Sequence, residues 1–220
     1  MHLAFRHDVF CRIVNGRAII LDLQSGRYFS PKAEVSAMLA AAESREAASI
    51  PAATELQSLV ERGWLVECSG AALSNDFARW PSPVRRHEPE SDLSPTARAT
   101  IIALVRQAVA AVELRRLRFG DLVERLRVRR ARLEILRGPR SIDAVVRAFE
   151  AADRMASAHD RCLPRSIALF RSLLAAGHPA ALALGVRTYP FGAHAWVQLH
   201  DMVIGDDLDR VQTYSPILVL

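Results

Sequence analysis

The sequence predicts an α+β protein in which a small N-terminal unit of strands and helices precedes a larger unit, helical first and antiparallel β at its end. Asn15-Gly16 joins two apolar runs, which is the strongest short-range signal for a β-hairpin. Apolar residues at helical spacing follow from about residue 95 to 176, and alternation typical of strands begins after Gly177. With 220 residues, 50% of them hydrophobic, the chain is long enough to bury two cores.

The N-terminal unit begins with three antiparallel strands, predicted at residues 8–14, 17–23 and 27–29. A helix follows from Ser30-Pro31, because serine caps helix N-termini and proline suits the first turn. A second helix runs from about Pro51 or Thr54 to Arg62 and ends at Gly63, and residues 64–68 return as a short strand. These elements predict a winged-helix-like domain over residues 1–78.

The second unit is predicted over residues 94–220, after a proline-rich linker at 79–93. Ser94 and Pro95 are expected to open a helix that reaches about Leu117. Its predicted buried stripe is Ile101, Ile102, Val105, Ala108, Val109 and Val112. Three more helices are predicted at about 121–136, 141–157 and 162–176, and three strands within 179–187, 193–199 and 202–207.

Composition excludes several classes of protein. No apolar run is long enough to cross a bilayer, and the first residues lack the pattern of a signal peptide, so we expect a cytoplasmic protein without a membrane partner. Twelve arginines against four acids between Thr96 and Arg140 could attract nucleic acid, but Phe119 is the one aromatic residue among them. We therefore interpret this segment as a solvated helix face or a docking surface, and do not expect nucleic acid as a partner.

Cys162 is the first candidate for chemistry. It is one of three cysteines, an odd number at wide separations that forms neither a disulfide framework nor a Cys-x-x-Cys pair. Cys11 alternates within a strand and is interpreted as a core residue. Cys162 stands where an amphipathic helix begins, and the positive end of a helix dipole stabilises a thiolate.

His194 is the candidate base, because a histidine on a strand can activate a thiolate that is held by a helix. A carboxylate on the next strand could orient the imidazole. If His200-Asp201 is a plain two-residue turn, the register places Asp207 opposite His194; a bulge at Gly205 would bring Asp206 there instead. The strand register alone does not decide which of the two aspartates orients His194.

A metal site is the competing interpretation of these residues. Cys162, His178, His194 and His200 follow one another at spacings of 16, 16 and 6 residues, which match no short-spaced ligand pair of a structural zinc site. We therefore expect no metal.

Longer stretches around these residues resemble a known family. The runs CLPRSIALFRSLLAAGHPAALALGVR and PFGAHAWVQLHDMVIGDD, followed by YSPI, resemble the B protein of lasso-peptide biosynthesis, a transglutaminase-like (papain-like) leader peptidase. The resemblance covers residues 160–217 and implies a catalytic Cys162, His194 and Asp206. It also implies cleavage of a precursor peptide between leader and core, for a partner cyclase that resembles asparagine synthetase.

The N-terminal unit resembles the PqqD-like precursor-recognition element, through DVFCRIVNGRAIILDLQSGRYF and the helices that follow. In such modules the leader adds as an extra strand and lies against a helix. The resemblance implies a peptide-binding set of Gly26, Arg27, Tyr28, Phe29, Leu56, Leu59 and Val60. The chemistry requires no cofactor; some lasso B proteins are stimulated by ATP, but the sequence has no Gly-rich phosphate loop.

Three functional hypotheses follow. The first is a leader peptidase that binds the precursor and hydrolyses the leader–core bond by a Cys-His-Asp mechanism. The second is a non-catalytic adaptor that binds the leader and delivers the precursor to the cyclase. The third is a DNA-binding regulator that uses the winged-helix-like unit.

Overall fold

The computed structural model describes residues 2–44, 50–51, 54–68, 81–90, 94–132, 141–155 and 161–220. Within these ranges the N-terminal part contains six strands and two α-helices: β1 His2–Phe5, β2 Val9–Val14, β3 Arg17–Asp22, β4 Arg27–Phe29, α1 Ala33–Ser44, β5 Ile50–Pro51, α2 Gln57–Glu61 and β6 Leu65–Cys68. A 3₁₀ turn at Thr54–Leu56 leads into α2. The remainder contains β7 Arg85–Arg86, α3 Ala97–Arg116, α4 Phe119–Ala131, α5 Ile142–Met155, α6 Cys162–Ala175, β8 Ala181–Thr188, β9 Phe191–Leu199, β10 Met202–Ile204, α7 Leu208–Gln212 and β11 Ser215–Val219.

The three predicted N-terminal strands are confirmed as the antiparallel sheet β2-β3-β4. Asn15 and Gly16 both have positive φ, 50° and 74°, as the turn between β2 and β3 requires. The strand predicted at residues 64–68 is β6, and it pairs with β1, which the sequence analysis did not predict. Gly63, at φ 67°, follows the second helix as expected.

The C-terminal elements form a five-stranded sheet of order β11-β8-β9-β10-β7. Helix α6 packs on one face, and Val211 of the short helix α7 packs with Ala183, Trp196 and Val203 on the other. Helix α6 packs against β8 and β9 and against α3 and α5, which places it at the centre of the larger core. The prediction of an α+β fold, with helices first and antiparallel strands last in this half, is therefore confirmed. The predicted helix segments 133–136 and 156–157 lie outside the described residues.

Helix α3 departs from its prediction in two ways. Its N-cap is Thr96, whose side-chain oxygen accepts a hydrogen bond from the backbone N–H of Ala99, not Ser94. The predicted buried stripe is exposed, with Ile101 at 58% and Val105 at 55% of their surface accessible. The core instead receives the opposite face of this helix: Thr100, Ala103, Gln107 and Ala110. Small residues on that face let α3 lie close to α5 and α6.

The described part of the predicted linker is attached to the C-terminal sheet. Strand β7 pairs in parallel with β10, and Arg85 forms an exposed ion pair with Asp201 at 3.0 Å. His87 Nε2 lies 2.9 Å from the Asp143 carboxylate at the start of α5. Residues 81–90 therefore follow the protein surface, while 79–80 and 91–93 lie outside the described residues.

The N-terminal sheet shares a core with the C-terminal half. Val14, Ile19, Leu21 and Leu23 pack into the cluster that contains the buried face of α6, whereas Ile20 and Ala18 face a separate cluster with α1 and α2. The two faces of β3 are thus buried against different parts of the chain, one against the C-terminal half and the other against α1 and α2. None of the described helices is both long enough and apolar enough to cross a membrane.

Candidate active site

Cys162 is the first residue of α6. The N-cap residue, Arg161, makes no side-chain hydrogen bond to the helix, so its side chain does not satisfy the amides of the first turn. The thiol is half-buried and accepts a hydrogen bond from the backbone N–H of Leu163 in that turn. The sequence prediction of a cysteine at a helix start is therefore confirmed, and the partial positive charge of this helix end favours the thiolate.

Helix α6 is fixed to an open edge of β9 at Ala195. The carbonyl of Ala195 accepts a hydrogen bond of 2.7 Å from Ser166 Oγ, one helical turn after Cys162, and the N–H of Ala195 faces the Cys162 sulfur. This edge is open because β10 pairs with β9 over Val197–Leu199 alone. Ser166 is 1% exposed, and the sequence analysis missed it. Its i,i+4 spacing from Cys162 was the available signal.

His194 connects the cysteine to a carboxylate. Its Nε2 lies 2.8 Å from Asp206 Oδ2, and its side chain is 2% exposed. The other ring nitrogen, Nδ1, is buried without a conventional hydrogen-bond partner in the described part of the chain, and the ring interacts with the Cys162 side chain. The ring lies between Tyr214 and Trp196, with centroid distances of 5.2 and 6.3 Å, which limits its movement.

The position at which β10 ends determines that Asp206, and not Asp207, contacts His194. The register is that of a plain two-residue turn, with Met202 opposite Leu199, as one sequence argument expected. The strand, however, ends at Ile204, and Gly205 at φ 66° turns the chain before Asp207 can continue the ladder. Asp206 therefore reaches His194. Asp207 instead caps α7 by accepting the N–H of Arg210 at 2.9 Å.

Each of these three groups is shifted toward its charged form. The hydrogen bond with His194 is the largest effect on Cys162 and lowers the pKa of its thiol. Burial opposes this shift, and the amides of Ala195 and Leu163 lower the pKa further. Burial opposes protonation of His194, but hydrogen bonds to Asp206 and Cys162 outweigh it and raise the pKa of the imidazole. Burial likewise opposes ionisation of Asp206, yet contacts with His194 keep the pKa of this carboxyl lowered. The geometry favours a thiolate–imidazolium pair held by a carboxylate.

A cavity of about 350 Å³, which we call the thiol cavity, opens onto these residues. Its walls include Cys162, His194, Asp206, Gln107, Asp153, Arg161, Arg165 and Arg210. Arg165 donates to Asp153 Oδ2 at 2.7 Å, and the Gln107 amide lies 3.4 Å from the other oxygen of Asp153. Sequence analysis missed Gln107, Asp153 and Arg165, since they lie on three helices whose packing no sequence pattern shows.

Comparison with known families agrees with this geometry. A family model described as the transglutaminase-like superfamily matches residues 104–219, from α3 to the last strand. The chain belongs to the transglutaminase-like superfamily. That superfamily includes enzymes resembling cysteine peptidases. No curated protein and no solved structure matches the chain.

The predicted peptide-binding residues lie outside the matched superfamily region, and the structure does not bring them together into one site. Phe29 and Leu59 line a cavity of about 690 Å³ between β4 and α2, which we call the Phe29 cavity. Leu56 is fully buried in the core beneath it, and Val60 packs against the same cluster. Strand β4 pairs with β3 on one side and has no strand on its other side in the described part of the chain.

Gly26 and Tyr28 face the transglutaminase-like half instead. They line a cavity of about 440 Å³, the Tyr28 cavity, together with Leu114, Phe119, Leu163 and Leu184. Gly26 has φ 65°, and a Cβ there would lie 3.2 Å from Phe119 Cβ at the start of α4. Arg27 is exposed on the edge strand. The predicted set is therefore divided between two sides of β4.

The described residues contain no group of three or more histidine, cysteine or acidic side chains arranged to hold a metal ion. His178 and His200 line neither the thiol cavity nor the Tyr28 cavity. His200 has φ 52° in the turn between β9 and β10.

Proposed function

We propose that this protein is the leader peptidase of a lasso-peptide pathway. The observation that carries the proposal is the arrangement of Cys162, His194 and Asp206 in a transglutaminase-like domain, beside an open edge strand in the N-terminal unit. The N-terminal unit would bind the leader, and Cys162 would cleave the bond between leader and core. A cyclase resembling asparagine synthetase would then receive the core peptide.

Leader binding is supported by the edge of β4 and by the Phe29 cavity. A peptide that adds to β4 would form backbone hydrogen bonds with it, since an edge strand has unpaired N–H and C=O groups. Alternate side chains of that peptide would face the cavity between β4 and α2, whose walls combine Phe29 and Trp64 with Lys32, Glu61 and Arg62. This arrangement suits an extended segment with both apolar and charged residues.

The chemical steps use the cysteine, the histidine and water. The Cys162 thiolate attacks the scissile carbonyl carbon, and the C–N bond breaks as protonated His194 gives its Nδ1 proton to the leaving amine of the core. A thioester to the leader remains. Neutral His194 then takes a proton from water, the resulting hydroxide attacks the thioester, and the leader leaves as a carboxylic acid while the thiolate is restored. Asp206 orients the ring and stabilises its charged form throughout.

The N-terminal unit also contributes to rate by holding the substrate. A bound leader keeps the scissile bond near Cys162 at high effective concentration, so few contacts are needed at the reacting bond itself. Truncated substrates without a leader should therefore be cleaved slowly, and the loss should be larger at low substrate concentration.

The test uses a precursor peptide with a leader and a core, taken from a short reading frame beside the gene where one is found, incubated with the protein and followed by intact mass. Wild-type protein should release leader and core, whereas Cys162→Ala should bind the leader with unchanged affinity and release nothing. If the wild type binds the leader tightly without turnover even when the cyclase is added, the adaptor hypothesis is correct instead. Binding to duplex DNA that falls steeply with salt, with no affinity for the leader, would identify a regulator.

A further inference from the structure

The Tyr28 cavity is chemically unlike the thiol cavity beside it. Seven of its eleven lining residues are apolar, five leucines with Tyr28 and Phe119, and the others are Gln24, Ser25, Gly26 and Arg118. Its volume of about 440 Å³ is within the range of ligand pockets and gives room for a large apolar side chain. Its walls come from both halves of the chain, with Leu21 and Tyr28 on one side and Leu117 and Leu184 on the other.

This cavity adjoins the reactive sulfur through two backbone groups. Leu163 follows Cys162 directly; its N–H faces the sulfur, while its side chain lines the Tyr28 cavity. Ala195 gives the second N–H to the sulfur, and its cross-strand partner on β8 is Leu184, another lining residue. Because directly paired residues point to the same face of a sheet, Leu184 lies on the face of Ala195 that meets α6.

Tyr28 supplies a third, independent connection. Burial, with the nearby Cys162 thiolate as the second cause, raises the pKa of Tyr28 to about 12, so its phenol is close enough to sense the charge on that sulfur. The Tyr28 ring also lies edge-on to Phe191, with ring centroids 6.1 Å apart, at the start of the strand that carries His194. The cavity and the nucleophile are therefore neighbours.

Strand β4 divides the Tyr28 cavity from the Phe29 cavity. Consecutive residues of a strand point to opposite faces, so Phe29 faces the groove with α2 while Tyr28 faces Cys162. The two Cα atoms are about 3.8 Å apart. A peptide bound along β4 thus passes within a residue or two of a leucine-lined space that adjoins the thiol. The occupant that fits this position is a side chain of the substrate itself.

We propose that the Tyr28 cavity is a specificity subsite, which takes one large aliphatic or aromatic side chain of the substrate next to the bond that Cys162 attacks. This inference rests on the proposed function, because it assigns the substrate class of the same site. The lining predicts selection by size and hydrophobicity, and Gln24, Ser25 and Arg118 form polar parts of the wall that meet solvent or the peptide backbone. The N-terminal unit is then part of the active site as well as a binding module.

Alkylation of Cys162 tests the subsite without requiring turnover. In this reaction the thiolate sulfur displaces chloride from a chloroacetamide, so a C–S bond forms as the C–Cl bond breaks. N-benzyl, N-methyl and N-carboxymethyl chloroacetamide are compared on the full chain by mass spectrometry, each rate being divided by the rate with glutathione. We expect the benzyl probe to react at least tenfold faster than the methyl probe.

Two variants change the cavity in opposite directions. Ser25→Trp places a bulky ring at an exposed position of its wall and should reduce the benzyl preference to less than twofold. Leu117→Ala enlarges the cavity and should shift the preference from benzyl to naphthylmethyl chloroacetamide. Ser82→Trp is the matched control, because Ser82 is also exposed and lines neither this cavity nor the thiol cavity; it should keep the wild-type preference.

The outcomes separate this proposal from the proposed function. A tenfold benzyl preference that Ser25→Trp removes and Ser82→Trp retains supports the subsite even if no peptide is hydrolysed. If Ser25→Trp does not fold, the shift in Leu117→Ala decides. Equal rates for the benzyl and methyl probes overturn the subsite even if the precursor is cleaved. Faster reaction of the anionic carboxymethyl probe overturns it in favour of anion recognition by the arginines around Cys162, which are Arg118 and the three of the thiol cavity.

Discussion

The thiol cavity and the Tyr28 cavity lie on two sides of the same cysteine and differ in almost every property. The thiol cavity contains three arginines, two aspartates and the buried His194, while leucines dominate the Tyr28 cavity. Charges that are held by partners, such as Arg165 by Asp153 at 2.7 Å, can stabilise a reacting ion pair, whereas leucines can only select shape and hydrophobicity. The difference teaches that one surface beside Cys162 suits charge stabilisation and the other suits recognition of an apolar group, so the proposed reaction and the proposed selection use separate surfaces.

Replacement of the nucleophile should have the largest effect. Cys162→Ala should lower kcat/KM for precursor cleavage by at least about 10⁴-fold, because the proposed thioester forms on the Cys162 sulfur. Leader affinity, measured by fluorescence anisotropy, should stay within twofold. Cys11→Ala is the matched control, since Cys11 is buried within β2 in the N-terminal unit, and it should retain cleavage. Equal cleavage by Cys162→Ala and wild type would contradict the separation outright.

Removal of the orienting carboxylate should have the next largest effect. Asp206→Ala should lower kcat about 10²- to 10³-fold, because His194 loses its 2.8 Å partner and the stabilisation of its charged form. Asp206→Asn should lose less, since the amide oxygen still accepts from Nε2. The same exchange one residue later, Asp207→Asn, should change kcat by less than twofold because asparagine caps a helix as well as aspartate does. A larger loss of kcat in Asp207→Asn than in Asp206→Asn would show that Asp207 is the residue that orients His194.

Loss of the hydroxyl that fixes α6 to β9 should have an intermediate effect. Ser166→Ala leaves the buried carbonyl of Ala195 without its 2.7 Å donor and should lower the free energy of unfolding by about 1–3 kcal/mol. It should also lower kcat several-fold while KM changes less, because the Cys162 sulfur shifts relative to the N–H of Ala195. Ser172→Ala is the control on the same helix, at a position further from Cys162, where the buried hydroxyl donates to the carbonyl of Ala168 and accepts from Arg106 Nη1. Equal losses of kcat in both variants would show that Ser166 acts through stability alone.

The smallest effect is expected at the Tyr28 hydroxyl. Tyr28→Phe keeps the ring that lines the cavity and should change kcat by less than threefold, whereas Tyr28→Ala should raise KM for substrates with a large apolar residue. A change in KM would show that Tyr28 acts in the Tyr28 cavity, and a change in kcat would show that it acts in the chemistry at the thiol cavity. A hundredfold loss of kcat in Tyr28→Phe would make the phenol part of the chemistry and would break the distinction drawn above.

Much of the fold and part of the site could be predicted from the sequence. The Asn15-Gly16 hairpin, the helix that starts at Cys162 and the strand that carries His194 each depend on local signals, and each is found where expected. The exposed apolar face of α3 could not be predicted, because periodicity identifies an apolar stripe without showing whether a core lies against it. Ile101 and Val105 lie on that exposed face, and the alanines opposite them face the core.

The third site residue shows a second limit of sequence reasoning. The sequence left two registers open between β9 and β10, and the structure has that of the plain two-residue turn. Asp206 nevertheless reaches His194 because β10 ends before Gly205, and strand ends are poorly defined by alternation alone. Asp153 and Gln107 lie in the thiol cavity through the packing of α5 and α3 against α6, which depends on contacts between distant segments.

The pKa shifts predict a broad pH window for activity. The reactive pair requires a thiolate and an imidazolium together. Because the pKa of Cys162 is lowered, the acid limb of the rate profile should lie below the usual thiol range, and because the pKa of His194 is raised, the alkaline limb should lie above the usual imidazole range. Asp206→Ala should narrow the window from the alkaline side, since His194 loses the contact that favours its protonated form.

The most direct test of the central claim is the pH dependence of Cys162 alkylation by iodoacetamide, with the modified peptide quantified by mass spectrometry. The thiolate–imidazolium pair predicts a midpoint clearly below the value of about 8.5 for an ordinary cysteine, and a rise toward that value in His194→Ala. A wild-type midpoint at or above 8.5, unchanged by His194→Ala, would contradict the assignment of Cys162 as an activated nucleophile.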